Sequence, residues 1–416
     1  MRVFIILLFI ANLCFAQELK TITPDSFYKQ NPSYERKEII SFIVGQFDKK
    51  REFGITQSQL DNIWNNLDAR KAFSISRFQI VKQKLYADSL DPTHPYFLSL
   101  LSYLKKFVNS HKINDIDFIV CTRDEINRVN GLEKLIMEAP VFMGSKNINS
   151  AEEKDVLLFP DPFIIHESWK ELLSRINLAN YKYNWEDKQS KIFWRGGTTG
   201  GSEGAYQLSN FDKLPRIALI ILSKLYPDLI DAKFTYYMES AFNKNGKDLR
   251  KILDLLFGKD LYKVKEEDHL KYKYLIAIDG NTSPWVRVPW IMYSNSVLVK
   301  QESNNIQWFY TALKPYIHYI PVKENLSDIF AKINWMKFHD EELKQISKNS
   351  QTFIKNNLMP EHIDSYMAII LNEYSKIQKD DVIIASLTEA EDVLSMQVLI
   401  KSLLNQLHKK ITFWFQ

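Results

Sequence analysis

The sequence predicts an α/β fold with two globular domains. The chain has 416 residues, and at roughly 150 residues per domain this length fits two of them. In the second half, a strand-like run at 272–278 is followed by a loop, a helical run at 288–293 and another strand-like run at 296–300. This alternation is typical of a parallel sheet with helical connections. Helical patterns before and after these runs predict a helical lead-in and closing helices.

The composition indicates a chain that folds around large cores. It is 45% hydrophobic and 25% charged, and it contains 26 Phe, 20 Tyr and 9 Trp. With only 12 Gly and 14 Pro, collagen-like and Pro-rich low-complexity classes are excluded. The net charge of +4 is dispersed, so no overall electrostatic field indicates a nucleic-acid partner. Any anion site must therefore be local.

The amino terminus has the pattern of a secretory signal peptide over residues 1–16. Arg2 is followed by an apolar run at 3–15 and by the small residue Ala16. The apolar run is shorter than the roughly 20 residues that a membrane-spanning helix needs, although an uncleaved anchor remains an alternative. Once this segment is removed, Cys121 is the only cysteine, which excludes an intramolecular disulfide. We therefore expect export and no membrane span after signal removal.

Residues 17–111 have mostly helical patterns. Thr56 and Gln59 have the sequence of a capping box, and the apolar residues of 60–67 repeat at helical spacing. The run 116–121 then has the composition of a buried strand. Asp124 follows this strand directly, at the position where open α/β sheets bind their ligands.

The remaining elements are predicted from the same patterns. The polar stretch 181–189 is interpreted as the junction between the halves. Strands are predicted at 156–159, 191–194, 316–322 and 381–386, and helices at 215–225, 326–338, 340–356, 363–377 and 396–407.

Two loops that connect a strand to a helix have the composition of phosphate-binding loops. The loop 195–201 contains four glycines, which let the backbone approach a ligand closely, and Arg195 is always cationic. It matches neither the Walker nor the dinucleotide pattern, so a plain turn is the alternative from the residues alone. The loop 280–287 again carries an arginine. Together, the two loops favour a nucleotide diphosphate as ligand.

Asp124 is the candidate for acid–base chemistry. An acid that faces a diphosphate across a cleft is what a sugar transfer needs as a general base, while a solvated charged loop is the alternative interpretation. The eight histidines are scattered without the spacing of zinc ligands, so we predict no metal site. No Gly-x-Ser-x-Gly pattern marks a hydrolase.

Several separated motifs, occurring in one order, resemble glycosyltransferase family 90. They lie at 193–201, 269–274, 279–287 and 313–328. This family includes the fungal capsule-associated proteins, the animal protein O-glucosyltransferases of the endoplasmic reticulum and bacterial lipopolysaccharide-modifying enzymes. The resemblance extends over residues 75–378, and its second half is the more specific.

The resemblance implies a GT-B-like architecture, in which two Rossmann-like domains face each other across a cleft. It also implies an inverting, metal-independent transfer from a UDP-sugar, without a cofactor. The expected organisation is a signal peptide at 1–16, an acceptor-side domain carrying the base at 17–185, a UDP-sugar domain at 186–345, closing helices at 346–378 and a tail of unknown role at 379–416. We interpret the tail as a packing appendage rather than the start of a further sugar-nucleotide domain.

The resemblance also implies roles for single residues. Asp124 takes the role of the catalytic base. Gly197 stands where the family's Phe-Arg-Gly-Ser motif has a serine that contacts the donor, so any contact there must come from the backbone. Arg216 matches an arginine that binds the diphosphate. The family's donor loop matches Thr282, Ser283, Pro284, Trp285, Val286 and Arg287.

We therefore expect a glycosyltransferase of the secretory route that uses a UDP-sugar, with glucose or xylose favoured. Its acceptor would be a hydroxyl of a glycan, a lipopolysaccharide or a protein. The animal enzymes' Trp-Glu-Gly-Gly segment has no counterpart after 159–162, which weakens the case for a protein acceptor. The location would be the endoplasmic reticulum or Golgi lumen in a eukaryote, and the periplasm or the exterior in a bacterium. The alternatives are a glycan phosphorylase or a sugar-phosphate-transferring enzyme on the same fold, and a catalytically inactive carbohydrate-binding protein.

Overall fold

Two sheets covered by helices organise the chain in the computed structural model. The described residues are 21–30, 32–67, 74–124, 139–200, 214–238, 242, 247–257, 263–380 and 385–396. The predicted signal peptide and most of the predicted tail helix at 396–407 lie outside these ranges. None of the helices among the described residues is both long and apolar enough to cross a membrane.

Four helices begin the described chain. They are α1 (Pro24–Gln30), α2 (Tyr34–Gly45), α3 (Asp48–Phe53) and α4 (Gln57–Asn66). The predicted capping box at α4 is confirmed, because the Thr56 side chain accepts from the Gln59 backbone N–H and the Gln59 side chain accepts from the Thr56 backbone N–H. The prediction of a helical lead-in is therefore confirmed for residues 24–66.

The helical prediction is wrong for the segment that follows, which forms a hairpin. Its strands are β1 (Ile75–Val81) and β2 (Lys84–Ser89), and they pair antiparallel. The turn residues Lys82 and Gln83 both have a left-handed φ, of 50° and 61°. Two-residue turns of this kind are usually marked by Asn-Gly or Asp-Gly. Because neither dipeptide is present, the sequence carries no signal for this hairpin.

A six-stranded sheet forms around this hairpin. Its other members are β3 (Ile116–Cys121), β4 (Phe142–Met143), β6 (Leu157–Leu158) and β13 (Thr388–Glu389), in the order β13-β2-β1-β3-β4-β6. The prediction of β3 is confirmed, whereas the strand expected at 156–159 contains only two residues. Strands β3, β4 and β6 run parallel, and the hairpin and β13 add antiparallel pairs. This sheet is therefore mixed. Helices α5 (Pro95–Val108) and α6 (Glu167–Lys182) belong to the same half.

The second sheet is entirely parallel, as the alternation of strands and helices predicted. Its strands are β7 (Gln189–Gly197), β8 (Ile230–Tyr236), β9 (Tyr272–Ala277), β10 (Val297–Gln301) and β12 (Ile320–Val322), in the order β12-β10-β9-β7-β8. Helices α7 (Pro215–Leu225), α8 (Lys247–Phe257) and α9 (Arg287–Tyr293) occur between its strands. The strand expected at 316–322 is shorter, because Tyr316 lies in a turn with a left-handed φ of 59°.

Both faces of the parallel sheet are buried. Phe193 and Leu275 contribute to the larger apolar core, while Trp194 and Tyr274 contribute to the second core on the opposite face. Parallel strands with helices on both sides are apolar almost throughout, which explains why β7 and β9 were visible in the sequence. The carboxyl ends of these two strands lead into the glycine-rich loop and the donor loop.

The two halves are joined by a small sheet and by the closing helices. Strand β5 (Lys146–Asn147) pairs antiparallel with β11 (Asn305–Ile306). The closing helices are α10 (Ile329–Phe338), α11 (Asp340–Asn357) and α12 (Pro360–Ser375). Beyond α12, the Gln378 side chain donates to the Asp117 carbonyl at 2.8 Å, so the chain returns to β3.

The tail adds an edge strand to the first sheet. Thr388 of β13 pairs with Ala87 of β2, and Glu389 pairs with Tyr86. The tail strand was expected at 381–386, of which 381–384 lie outside the described residues and 385–386 are not in a strand.

Candidate active site

A cavity of about 540 Å³ lies where the loops after β7 and β9 meet the first half of the chain. It is the place where most of the predicted site residues come together. The predicted residues that line it are Asp124, Gly197, Arg216, Ser283, Pro284, Trp285 and Arg287. Thr282 and Val286, which were predicted with them, are not part of its lining.

The predicted base is held by the donor loop. Asp124 is half-buried, and its Oδ2 accepts a hydrogen bond from Asn281 Nδ2 at 2.8 Å. The other end of the same amide, Asn281 Oδ1, accepts from the Gly200 backbone N–H at 3.2 Å. Asn281 therefore connects the acid from the first half with both loops of the second half.

Arg287 is a half-buried cation with hydrogen-bond donors to spare. Its Nη1 donates to the Arg195 carbonyl at 2.7 Å. Within the described ranges this is its one protein hydrogen bond, out of five N–H donors. Burial and the neighbouring charge of Arg216 lower the pKa of Arg287 to about 10. The guanidinium is thus placed to gain strongly from an anion in the cavity.

Arg216 occupies the same cavity, but its donors hold the backbone. Nε donates to the Asp279 carbonyl at 2.9 Å, Nη1 to the Gly197 carbonyl at 2.7 Å and Nη2 to the Ile278 carbonyl at 3.2 Å. Nη1 also bonds the Thr199 hydroxyl. Arg216 therefore fixes the ends of β7 and β9 relative to each other and adds positive charge beside Arg287.

A side chain at Gly197 would have to displace the ring of Tyr236. A Cβ added there would lie 2.2 Å from Cζ of Tyr236, whose ring covers the glycine. The two residues are partners across β7 and β8. Tyr236 is 41% exposed and also lines the cavity. An aromatic ring thus takes the space that a serine side chain would need.

Three residues of the donor loop bond or pack against protein, and of these only Ser283 also lines the cavity. The hydroxyls of Thr282 and Ser145 hydrogen-bond at 2.8 Å, and Ser283 Oγ accepts from Gln307 Nε2 at 3.0 Å. Val286 caps α9 and packs against the larger core. These side chains explain how the loop keeps its shape.

Trp285 is held in an uncommon backbone conformation. Its φ is 47°, in the left-handed region that bulky residues rarely adopt. Its carbonyl accepts from Gln307 Nε2 at 3.2 Å, and its ring lies next to Gly144. A Cβ at Gly144 would be 2.8 Å from Cζ3 of the tryptophan. The ring position therefore depends on a glycine in the other half of the chain.

A neutral histidine and an ion pair lie beside Arg287 in the cavity. His269 contacts the ring of Phe193 edge-on at 4.7 Å, and burial together with Arg287 and Arg195 lowers its pKa to about 3. The imidazole is therefore neutral at physiological pH. Arg195 forms an ion pair with Asp231 at 2.9 Å.

Several cavity residues were missing from the predicted set. Asn281 and His269 stand within the motifs that signalled the site, and Arg195 was noted as the cation of the glycine-rich loop, but none of the three was among the predicted site residues. Tyr96, Phe163 and Tyr236 carried no signal at all, because they come from a helix start, a loop and a strand end that are distant in sequence. No group of three or more His, Cys, Asp or Glu that could hold a metal ion occurs among the described residues.

Comparisons with known proteins agree on one family. A family model described as Glycosyl transferase family 90 matches residues 43–411. Protein O-glucosyltransferase 3 of Mus musculus is 31% identical over 313 residues, which cover 73% of this chain and 56% of the relative. Protein O-glucosyltransferase 1 of Rattus norvegicus is 27% identical over 318 residues, covering 72% of each chain. The chain thus spans about half the length of the mouse relative, with 56% covered.

A weaker similarity connects the chain with a solved structure. Anabaena Alr3699/HepE in complex with UDP and glucose aligns with 66% of this chain and 74% of that chain, at 10% sequence identity and a TM-score of 0.38. At this level, the alignment supports no inference about the fold or the ligand of the present chain.

Proposed function

This chain belongs to glycosyltransferase family 90, which confirms the resemblance of its motifs, and we propose that it transfers a sugar from a UDP-sugar to an acceptor hydroxyl. The observation that carries the proposal is the cavity itself, which Asp124 of the first half and Arg287 of the second half both line. An acid and a guanidinium that forms one hydrogen bond with the described protein residues share this cavity, which suits a reaction that needs a base and an anionic leaving group.

We favour glucose as the transferred sugar. The mouse and rat relatives are both named protein O-glucosyltransferases, which favours glucose over xylose. The proposed architecture is GT-B-like, with the donor bound by the parallel sheet and the acceptor approaching from the first half. A secretory location is proposed on the signal-peptide pattern of residues 1–16.

The leaving group would be stabilised by arginine rather than by a metal ion. As the bond between the sugar and UDP breaks, negative charge develops on the diphosphate. Arg287 would donate its remaining N–H groups to these oxygens. The charge of Arg216 makes the electrostatic potential in the cavity more positive. Because His269 is neutral, it would add no positive charge, and the arginines would supply the charge that stabilises UDP.

Asp124 would act as the general base in a single displacement. Its carboxylate accepts the proton of the acceptor hydroxyl, while that oxygen forms a bond to the anomeric carbon from the side opposite UDP. The bond from the anomeric carbon to the phosphate oxygen breaks, and UDP leaves with the electron pair. The anomeric centre is therefore inverted. Asn281 would orient the carboxylate through its hydrogen bond at 2.8 Å.

A donor screen tests the proposal. The purified protein is incubated with UDP-glucose, UDP-xylose and UDP-galactose in excess EDTA, and UDP release is measured with and without acceptors. We expect turnover of UDP-glucose without divalent metal, and proton NMR should show inversion at the anomeric carbon. Loss of turnover in the chelator would contradict the metal-independent mechanism. Sugar binding without turnover of any donor would identify an inactive carbohydrate-binding protein.

A further inference from the structure

Three aromatic rings form a continuous surface beside Asp124, which we call the aromatic wall. Tyr96 stands at the start of α5, Phe163 in the loop after β6, and Trp285 in the donor loop. The ring centroids of Tyr96 and Phe163 are 5.0 Å apart, and those of Phe163 and Trp285 are 5.8 Å apart. All three line the cavity and remain partly exposed. The mechanism described above uses none of these rings.

The wall lies on the side of the cavity to which the described residues contribute no lining arginine or lysine. Among the described lining residues, the first half contributes only Tyr96, Asp124 and Phe163, whereas every lining arginine and lysine comes from the second half. Tyr96 lies near the predicted base, since burial and the charge of Asp124 raise the pKa of its hydroxyl. A molecule that approaches Asp124 from the first half therefore meets two rings and one acid.

The positions of the rings are fixed by their surroundings. Asp161 Oδ1 accepts from the backbone N–H groups of Phe163 at 2.9 Å and Ile164 at 3.2 Å, which holds the loop. Gly144 lets Asp161 and Trp285 pack close to the backbone, because it has no Cβ. A Cβ there would lie 2.6 Å from Cβ of Asp161 and 2.8 Å from Cζ3 of Trp285. The left-handed backbone of Trp285 adds strain that persists only where the surroundings enforce it.

These features suit a sugar ring better than a polypeptide. A pyranose presents an apolar C–H face that packs flat against aromatic rings, and its hydroxyls project from the edge. A peptide segment would need partners for each backbone N–H and C=O. The side chains of the first half offer only the Tyr96 hydroxyl and the Asp124 carboxylate among the described lining residues.

We infer that the aromatic wall is the acceptor subsite and that it binds a pyranose ring of a saccharide acceptor. This inference rests on the proposed sugar transfer and adds the chemical class of the acceptor. With the ring stacked on Tyr96 and Phe163, one of its edge hydroxyls reaches Asp124. The wall thus selects a saccharide hydroxyl as the nucleophile.

The test compares ring-removing and ring-keeping variants. Phe163→Leu removes the ring at similar volume and Phe163→Tyr keeps it, while Tyr96→Leu probes the second ring. Phe338→Leu, at a side chain that is 78% exposed on α10, is the matched control. Methyl β-glucoside, maltose and lactose serve as saccharide probes, and a serine-containing peptide serves as the polypeptide probe. Thermal unfolding establishes that each variant is folded.

We expect Phe163→Leu and Tyr96→Leu to raise the KM for the best saccharide acceptor about tenfold, with the UDP Kd changed less than about threefold. Saturation-transfer NMR in the presence of UDP should show contacts to the C–H protons of the sugar, and these should weaken in the same variants. Phe338→Leu should behave like the parent chain, and Phe163→Tyr, which keeps the ring, should recover most of the saccharide KM that Phe163→Leu loses.

Two results would overturn the inference. One is an unchanged KM for saccharides in folded Phe163→Leu and Tyr96→Leu proteins. The other is transfer to the peptide with no transfer to any saccharide. In both cases the parent chain would still turn over UDP-glucose, so the acceptor assignment alone would fail. If UDP-glucose is not turned over at all, the proposed function fails instead.

Discussion

Two arginines that were expected to do the same work have different surroundings. Arg216 donates to three carbonyls at the ends of β7 and β9, whereas Arg287 donates to one carbonyl in the part of the chain that the structure describes. A guanidinium whose donors are already engaged gives less to a ligand than one whose donors are free. Arg287 is therefore the residue on which we expect UDP affinity to depend most.

Arg287→Ala should weaken UDP binding by about tenfold to a hundredfold, because a charge-assisted hydrogen bond contributes about 1.5 to 3 kcal/mol and a factor of ten is 1.4 kcal/mol. Isothermal titration with UDP measures the effect. Arg51→Ala is the control, since Arg51 pairs with Glu373 outside the cavity. Near-parental UDP affinity in a folded Arg287→Ala protein would show that this arginine does not bind the diphosphate.

At the scale of elements, β7 and β8 meet at the pair of Gly197 and Tyr236. A serine at Gly197 would have to push the ring of Tyr236 out of its place, because Cζ of that ring lies 2.2 Å from the position of the serine Cβ. Gly197→Ser should therefore lower UDP affinity and thermal stability together. In the double variant Gly197→Ser/Tyr236→Ala the clash is absent, so part of the loss should be recovered.

The coupling between these two positions is measured with a double-mutant cycle. Residues in contact give coupling energies of about 0.5 to 3 kcal/mol. UDP affinity and unfolding free energy are determined for the parent, both single variants and the double variant. Additive effects in both measurements would mean that Tyr236 does not occupy the space over Gly197.

The loop after β6 contains a buried acid, Asp161, whose titration should make the free energy of unfolding depend on pH. Asp161 is 0% exposed, and burial raises its pKa from 3.8 to about 6. The folded state therefore binds its proton more tightly than the unfolded state does. Between pH 4 and pH 6, this group lowers the free energy of unfolding as the pH rises. The upper limit of the loss is about 3 kcal/mol, at 1.36 kcal/mol for each pH unit.

Asp161→Asn should remove this pH dependence. The amide oxygen can still accept from the Phe163 and Ile164 backbone N–H groups, but the amide does not ionise. The free energy of unfolding of both proteins is measured by urea denaturation from pH 4 to pH 7. Their difference should shift in favour of the variant as the pH rises. Curves that stay parallel over this range would mean that Asp161 has an ordinary pKa.

The predictability of each element from the sequence follows from its surroundings. Strands β7 and β9 were visible because their buried stretches, 192–194 and 274–277, are apolar on both faces. The hairpin of β1 and β2 was missed because Lys82 and Gln83 adopt left-handed φ values without a glycine. Motif loops identified Asp124 and Arg287 as candidates. Tyr96 and Phe163 join the cavity only through tertiary packing, which no local pattern records.

At the scale of the whole molecule, the cavity lies between two halves that share one core. The larger apolar core contains residues of both halves, such as Phe118 and Trp290. Strands β5 and β11 pair across the junction. The domain boundary near residue 185 stays a prediction, and that residue lies between α6 and β7. A ligand that contacts both halves should therefore stabilise the chain as a unit.

UDP at a hundred times its Kd should raise the free energy of unfolding by about 2.7 kcal/mol, because it binds only the folded chain. The shift should persist in excess EDTA, and it should shrink in Arg287→Ala at the same UDP concentration. Thermal unfolding monitored by tryptophan fluorescence provides the measurement. A shift that appears only with added divalent metal would contradict binding by arginine.

The transfer rate of Asp124→Asn, at saturating UDP-glucose and acceptor, tests the proposed chemistry most directly. The amide has the same size and can keep its contact with Asn281, but it cannot accept the hydroxyl proton. Asp248→Asn, at an exposed residue of α8, is the control. We predict that kcat falls by about 10² to 10⁴ while UDP affinity and melting temperature stay close to those of the parent chain. A folded Asp124→Asn protein that transfers sugar at the parental rate would show that Asp124 is not the base.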